Sequence, residues 1–117
     1  MKTVLVVDDD SGNRESYQGL FSIMGYNVLT AQNGAIGLEL AVSNRPDLVL
    51  TDNRMSVMDG YEMARKLRSN PQTREIPIIG CGDFSVEQQE ILDYFVEKGS
   101  GTSISDLVKK VLGEPTE

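Results

Sequence analysis

Five short apolar runs recur along the chain, each followed by a polar break and a longer stretch of helical period. Thr3 to Val7, Val28 to Ala31, Leu48 to Thr51, Ile76 to Gly80 and Tyr94 to Glu97 are mostly β-branched or aliphatic, the make-up of strands. TVLVV and DLVLT carry almost no polar alternation, which predicts strands covered on both faces, as in a parallel sheet. Between the runs, apolar positions return every three to four residues. The last such segment is the clearest: Ile104, Leu107, Val108, Val111 and Leu112 form one stripe. Ser103 and Asp106 make a capping pair at its start, and Gly113 ends it. Another helix is predicted to open near Asp59, with Glu62 three residues on, and to stop by Asn70-Pro71. Ser85-Val-Glu-Gln88 offers a third cap of the same kind.

Five β-then-α units without a linker or repeat predict a doubly wound five-stranded parallel sheet, class α/β, in a single domain over residues 1–117. Residues 113 to 117 read as a short polar tail. In such folds the ligand crevice lies beyond the carboxyl ends of the strands, where strand order reverses. Asp8, Asp9 and Asp10 follow the first strand, Asp52 follows the third and Lys98 ends the fifth. With strands ordered 2-1-3-4-5, Asp8, Asp9 and Asp52 converge at that point. Crowded carboxylates raise one another's pKa, and a divalent cation relieves the repulsion. Mg²⁺ suits a site of few carboxylates, several waters and phosphate oxygens. Lys98 brings a positive point charge to the same crevice. The set fits a phosphoryl group, with Asp52 as nucleophile and the cation and Lys98 stabilising developing charge. Seen alone, a DDD run or a strand-end Asp reads equally as a solvated turn or a helix cap.

Composition narrows the chemistry further. Eleven Lys and Arg against 18 Asp and Glu leave a net charge of −7, which repels nucleic-acid backbones and anionic membrane surfaces. No window approaches the apolar length of a membrane span. One cysteine cannot form an internal disulfide, in keeping with a cytoplasmic location. The chain has no histidine, so it holds no Ser-His or Cys-His pair, no His-ligated zinc and no phosphohistidine of its own.

VLVVDDD, DLVLTDNRMSVMDG, the Phe95-Val-Glu-Lys98 strand end and their spacing resemble the receiver domains of two-component response regulators, over essentially the whole chain. The resemblance implies a flavodoxin-like fold with Asp52 as phosphoacceptor. It also implies Mg²⁺ ligated by Asp9, Asp52 and the backbone carbonyl of Arg54, with Asp8 acting through water and Lys98 pairing with the phosphoryl group. The implied donor is a phosphohistidine on a separate sensor kinase or phosphotransfer protein, and output passes to a downstream protein. On this reading the chain is not an enzyme beyond self-catalysed phosphotransfer and dephosphorylation. An aspartyl-phosphate phosphatase would need an acid two residues after the nucleophile, where Arg54 stands. The alternative is a degenerate receiver serving as a phosphorylation-independent adaptor.

Several positions depart from the family's pattern. Gly82 stands where a Thr or Ser normally reports on the phosphoryl group. Asp83 follows in place of a small residue, and reads equally as a fourth acid of the site or a solvated loop residue. Phe95 keeps the aromatic switch position, so half of the usual pair survives and phosphorylation is expected to be uncoupled from the ordinary aromatic rotation. Only 15 residues separate Gly82 from Lys98, predicting a shortened fourth helix packed through Val86, Ile91 and Leu92. Gly99 replaces a Pro after Lys98, so no cis peptide is expected there. Ser56 replaces another, predicting a looser turn. Cys81 reads as a small buried hydrophobe and Met55, Met58 and Met63 as packing residues.

Overall fold

The structure is a computed structural model and describes residues 1–113; the polar-tail reading of residues 114–117 lies outside the described residues. Strands β1 (Thr3–Val7), β2 (Asn27–Ala31), β3 (Leu48–Thr51), β4 (Ile78–Cys81) and β5 (Tyr94–Val96) alternate with helices α1 (Ser11–Ile23), α2 (Gly34–Asn44), α3 (Gly60–Ser69) and α4 (Ile104–Val111). The sheet is parallel, as the apolar runs predict, and its order is the expected β2-β1-β3-β4-β5.

Side-chain alternation sorts the strands onto two cores. Val4, Val6, Leu48, Leu50 and Ile79 face α1 and α4, burying Phe21 and Val108. Leu5, Val7, Val49 and Ile78 face α2 and α3, burying Ala41, Met63, Ala64 and Leu67. Both faces are covered, which is why β1 and β3 are apolar throughout. The stripe of α4 packs as the sequence predicts, and Met55 and Met58 lean on the second core that encloses Met63.

The predicted caps are present. Ser103 accepts from the amide of Asp106, and Asp59 from that of Glu62. Ser85 and Gln88 cap reciprocally, each side-chain oxygen accepting from the other's amide. That third cap leads only into a single 3₁₀ turn, Gln88–Ile91, in place of a helix between β4 and β5. Ile91 and Leu92 pack against the second core, but Val86 does not: it is 79% exposed. A helical period would have turned Val86 inward; the tighter 3₁₀ turn begins two residues later and leaves it on the surface.

Two further expectations fail locally. β4 starts at Ile78 rather than Ile76, because Pro77 lacks an amide proton for the ladder. The turn at Ser56 is tighter than expected: the amide of Met58 donates to the carbonyl of Ser56 at 2.7 Å, and Val57 takes φ +68°. The carbonyl of Met58 accepts from Gly34 at 2.9 Å, and Asp59 caps α3 immediately afterwards, so the loop is pinned on both sides. A β-branched residue at positive φ is strained. Val57 is also 83% exposed and gains little from burial. Val57→Gly should therefore raise unfolding free energy by about 1 kcal/mol, read by urea titration, since relief of the strain exceeds glycine's entropy cost. No cis peptide occurs among the described residues, as expected at Gly99.

Candidate functional site

Register brings the strand ends together. Val7 pairs with Thr51, so Asp8 and Asp52 come one step beyond neighbouring strands, and the amide of Asp52 donates to the carbonyl of Val7 at 3.1 Å. Thr51 pairs with Gly80 and Cys81 with Val96, which carries Gly82 and Lys98 to the same edge. Of the three consecutive acids, Asp10 turns away to cap α1, accepting from the amides of Gly12 and Asn13. Asp8, Asp9 and Asp52 remain, each with a carboxylate oxygen within 4.8 Å of the others.

Asp8 is buried at 4% exposure while Asp9 is open to solvent and Asp52 is half-buried. Burial holds the Asp8 carboxyl above its ordinary value of 3.8; the Asp10 amide that donates to it pulls the other way, and the Asp52 charge pushes it up further. Lys98 Nζ donates to Asp52 Oδ2 at 3.1 Å, and that bond raises the lysine's pKa, keeping it charged. The other oxygen, Oδ1, accepts from the amide of Asn53 at 2.7 Å. Asp52 is thus oriented at both oxygens, with Oδ2 facing the Lys98 ammonium. Three oxygen donors at this separation suit a hard divalent cation completed by water.

Gly82 has φ +109°, and a Cβ built on it would stand 2.5 Å from Asp52 Oδ1. The residue does more than omit a hydroxyl: the backbone lies against the carboxylate in a conformation side chains avoid. Gly60 meets a similar limit, since any Cβ there would run into the carbonyl oxygen of Asp52. Asp83 points to the outside, pairing with Arg54 Nε at 3.2 Å; both side chains are largely exposed, so the pair adds little stability. Phe84 is buried and meets Phe95 edge to face, with centroids 6.2 Å apart. A cleft of about 360 Å³ runs from Lys98 past Gly82 to these two rings.

The response regulator receiver domain model matches residues 4–110. The chain belongs to the family of response regulator receiver domains. Among its relatives, response regulator MprA of Mycobacterium sp. (strain KMS) is 41% identical over 90 residues, 77% of this chain. The chain covers only 39% of MprA's length. Response regulator TrrA of Thermotoga maritima, solved in complex with Mg²⁺-BeF, is 30% identical with a TM-score of 0.84, covering 95% of this chain and 99% of TrrA. The complex of histidine kinase ThkA with TrrA gives a chain 31% identical, again at 0.84, over 96% and 99%. The fold of this receiver domain is therefore that of its family.

Sequence reasoning missed Asn53, which is buried at 6% exposure directly after Asp52. Its Nδ2 donates to the carbonyl of Asp83 at 2.8 Å and to Gln88 Oε1 at 3.1 Å, and its Oδ1 accepts from the amide of Tyr61 at 2.9 Å. A polar residue following the acid at the strand end was the available signal. Cys81 is buried as predicted, and burial pushes its thiol pKa up, which keeps it an unreactive packing group. The hydroxyl of Tyr17, itself pushed up to about 12 mainly by burial, lies against it.

Proposed function

We propose that this chain is a single receiver domain in which Asp52 accepts a phosphoryl group from a partner phosphohistidine, with Mg²⁺ held by Asp9, Asp52 and the Arg54 carbonyl and with Asp8 acting through water. The observation that carries the reading is the shared geometry of Asp52: one oxygen on Lys98, the other on the Asn53 amide, and two further carboxylates within 4.8 Å. In the transfer, Asp52 Oδ2 bonds to phosphorus as the phosphorus–nitrogen bond of the donor breaks. The electron pair stays with the imidazole, which takes up a proton from solvent. Bound Mg²⁺ would neutralise charge on the phosphoryl oxygens, and Lys98, which holds Asp52 Oδ2, would stabilise the same charge. TrrA's complexes with Mg²⁺-BeF and with a histidine kinase support the same ligand and partner class here.

Output passes by protein contact. Gly82, Asp83 and Phe95 occupy the switch region, but Gly82 donates no side-chain hydrogen bond and the Phe84 ring braces Phe95. Rotation of Phe95 is therefore not how this receiver reports. No described helix is long and apolar enough to cross a membrane, and the net charge of −7 disfavours direct nucleic-acid contact. The place of action is proposed to be the cytoplasm.

The cation can be tested through stability. Above 3.8 and below its raised folded value, Asp8 binds a proton in the native state that the unfolded state has lost. Metal-free stability is thus penalised as pH rises through that window, and the penalty is complete above it. Asp8→Asn removes this term. At pH 7 without metal the variant should melt higher than wild type, the gap closing as pH falls below the window. Adding Mg²⁺ should raise the melting temperature of wild type, by about 2.7 kcal/mol of stability at a hundredfold excess over Kd, and should leave the variant nearly unmoved. Equal Mg²⁺ responses in the two proteins would remove Asp8 from the cation site.

A further inference from the structure

With Gly82 unable to report on Asp52, the phosphoacceptor needs another path into the segment between β4 and β5. We propose that Asn53 is that path: a positioning residue that senses the Asp52 carboxylate through its amide and transmits the change to residues 83–92 through its side chain. The inference rests on the phosphoacceptor reading above and goes beyond it.

Three observations converge on Asn53. Its amide donates to Asp52 Oδ1, the oxygen turned away from Lys98 and so the one that remains a carbonyl once Oδ2 carries phosphorus. Its Nδ2 spends both protons on the segment, one on the Asp83 carbonyl and one on Gln88 Oε1. Gln88 Oε1 also accepts from the Ser85 amide at 3.0 Å, and the Gln88 amide donates back to Ser85 Oγ at 3.1 Å. The loop after β4 is thereby tied to one buried amide group. Among the described residues no other buried side chain of the β3–α3 loop hydrogen-bonds to this segment; the Arg54–Asp83 pair lies outside, exposed to solvent and salt.

A conformational change needs a difference in interaction energy between the two states. Phosphorylation supplies one at this bond. Oδ1 changes from a carboxylate oxygen to the neutral carbonyl of an acyl phosphate, and hydrogen bonds to charged acceptors are about twice as strong as neutral ones. The Asn53 backbone is then held less tightly toward Asp52. Its side chain is anchored to a 3₁₀ turn that lacks the cooperative bonding of a full helix.

The test uses amide proton–nitrogen NMR of the whole chain with Mg²⁺ and beryllofluoride, with fluorine NMR reporting the adduct at Asp52. In wild type the adduct should form and resonances of residues 83–92 should move. In Asn53→Val, whose apolar side chain suits a buried position, the adduct should still form while the movement of 83–92 is largely lost. In Gln88→Ala, which leaves every site residue in place and keeps the bond to the Asp83 carbonyl, the adduct should still form while the movement of 85–92 is largely lost. Retained movement of residues 85–92 in Gln88→Ala, or of 83–92 in a folded Asn53→Val, overturns the relay. An adduct in wild type with 83–92 unmoved overturns it while leaving the phosphoacceptor reading intact. No adduct in wild type overturns both.

Discussion

Incubated with Mg²⁺ and a small phosphodonor such as acetyl phosphate, the wild-type chain should gain one labile phosphoryl group, and Asp52→Asn should gain none. The asparagine keeps the shape of the side chain and the acceptor for the Asn53 amide. It removes the oxygen proposed as nucleophile and the charge that holds Lys98. Asp8 and Asp9 stand close by, but neither is gripped between an amide and a lysine, so neither should take over. The expected loss is complete within the detection of intact-mass spectrometry. Alkaline hydroxylamine should strip the wild-type adduct, as it does acyl phosphates and not phosphoserine. An adduct that persists in Asp52→Asn would place the nucleophile elsewhere; no adduct on the wild type would favour the adaptor reading, which the family membership does not favour.

Gly82→Thr, which restores the residue usual in the family, should damage this protein. Two costs add. A side chain at φ +109° is strained, by about 1–3 kcal/mol for a sparsely populated backbone region. Its Cβ would also meet Asp52 Oδ1 at 2.5 Å and Lys98 Cε at 3.3 Å, and relieving such overpacking typically costs about 1–3 kcal/mol more. The variant should lose about 2–6 kcal/mol of unfolding free energy in urea titration and phosphorylate more slowly, because the carboxylate is displaced from Lys98. Gly82→Ala separates the contributions: it carries the same Cβ without the branch and should already show most of the loss. A threonine variant as stable as wild type, with faster phosphotransfer, would mean that the backbone at 82 rearranges freely.

Much of this architecture is legible in the chain. β1 and β3 are buried on both faces, so their apolar runs and bounds stand out, and the acids that end them are visible by contrast. The caps at Asp59 and Ser103 are local, between residues three apart, and local chemistry reads well. What failed depended on longer range or on an assumed period. Val86 was given a helical face that a 3₁₀ turn does not supply. Val57 is no turn former by composition; its positive φ is imposed by Gly34 and the α3 cap. Asn53 could be seen as polar but not as a junction, because its partners Asp83 and Gln88 lie 30 and 35 residues away. The convergence of Asp8, Asp9, Asp52 and Lys98 was legible because strand order brings those strand ends together.

The positive φ at residue 82 also bears on descent. A lineage that lets its main chain lean onto the acid at this point has closed the route by which a single codon change would return a hydroxyl there. Reversal would require the β4–β5 connection to be rebuilt first, so later refinement of such a protein is channelled into its neighbours in space rather than into the position where its kin keep their reporter.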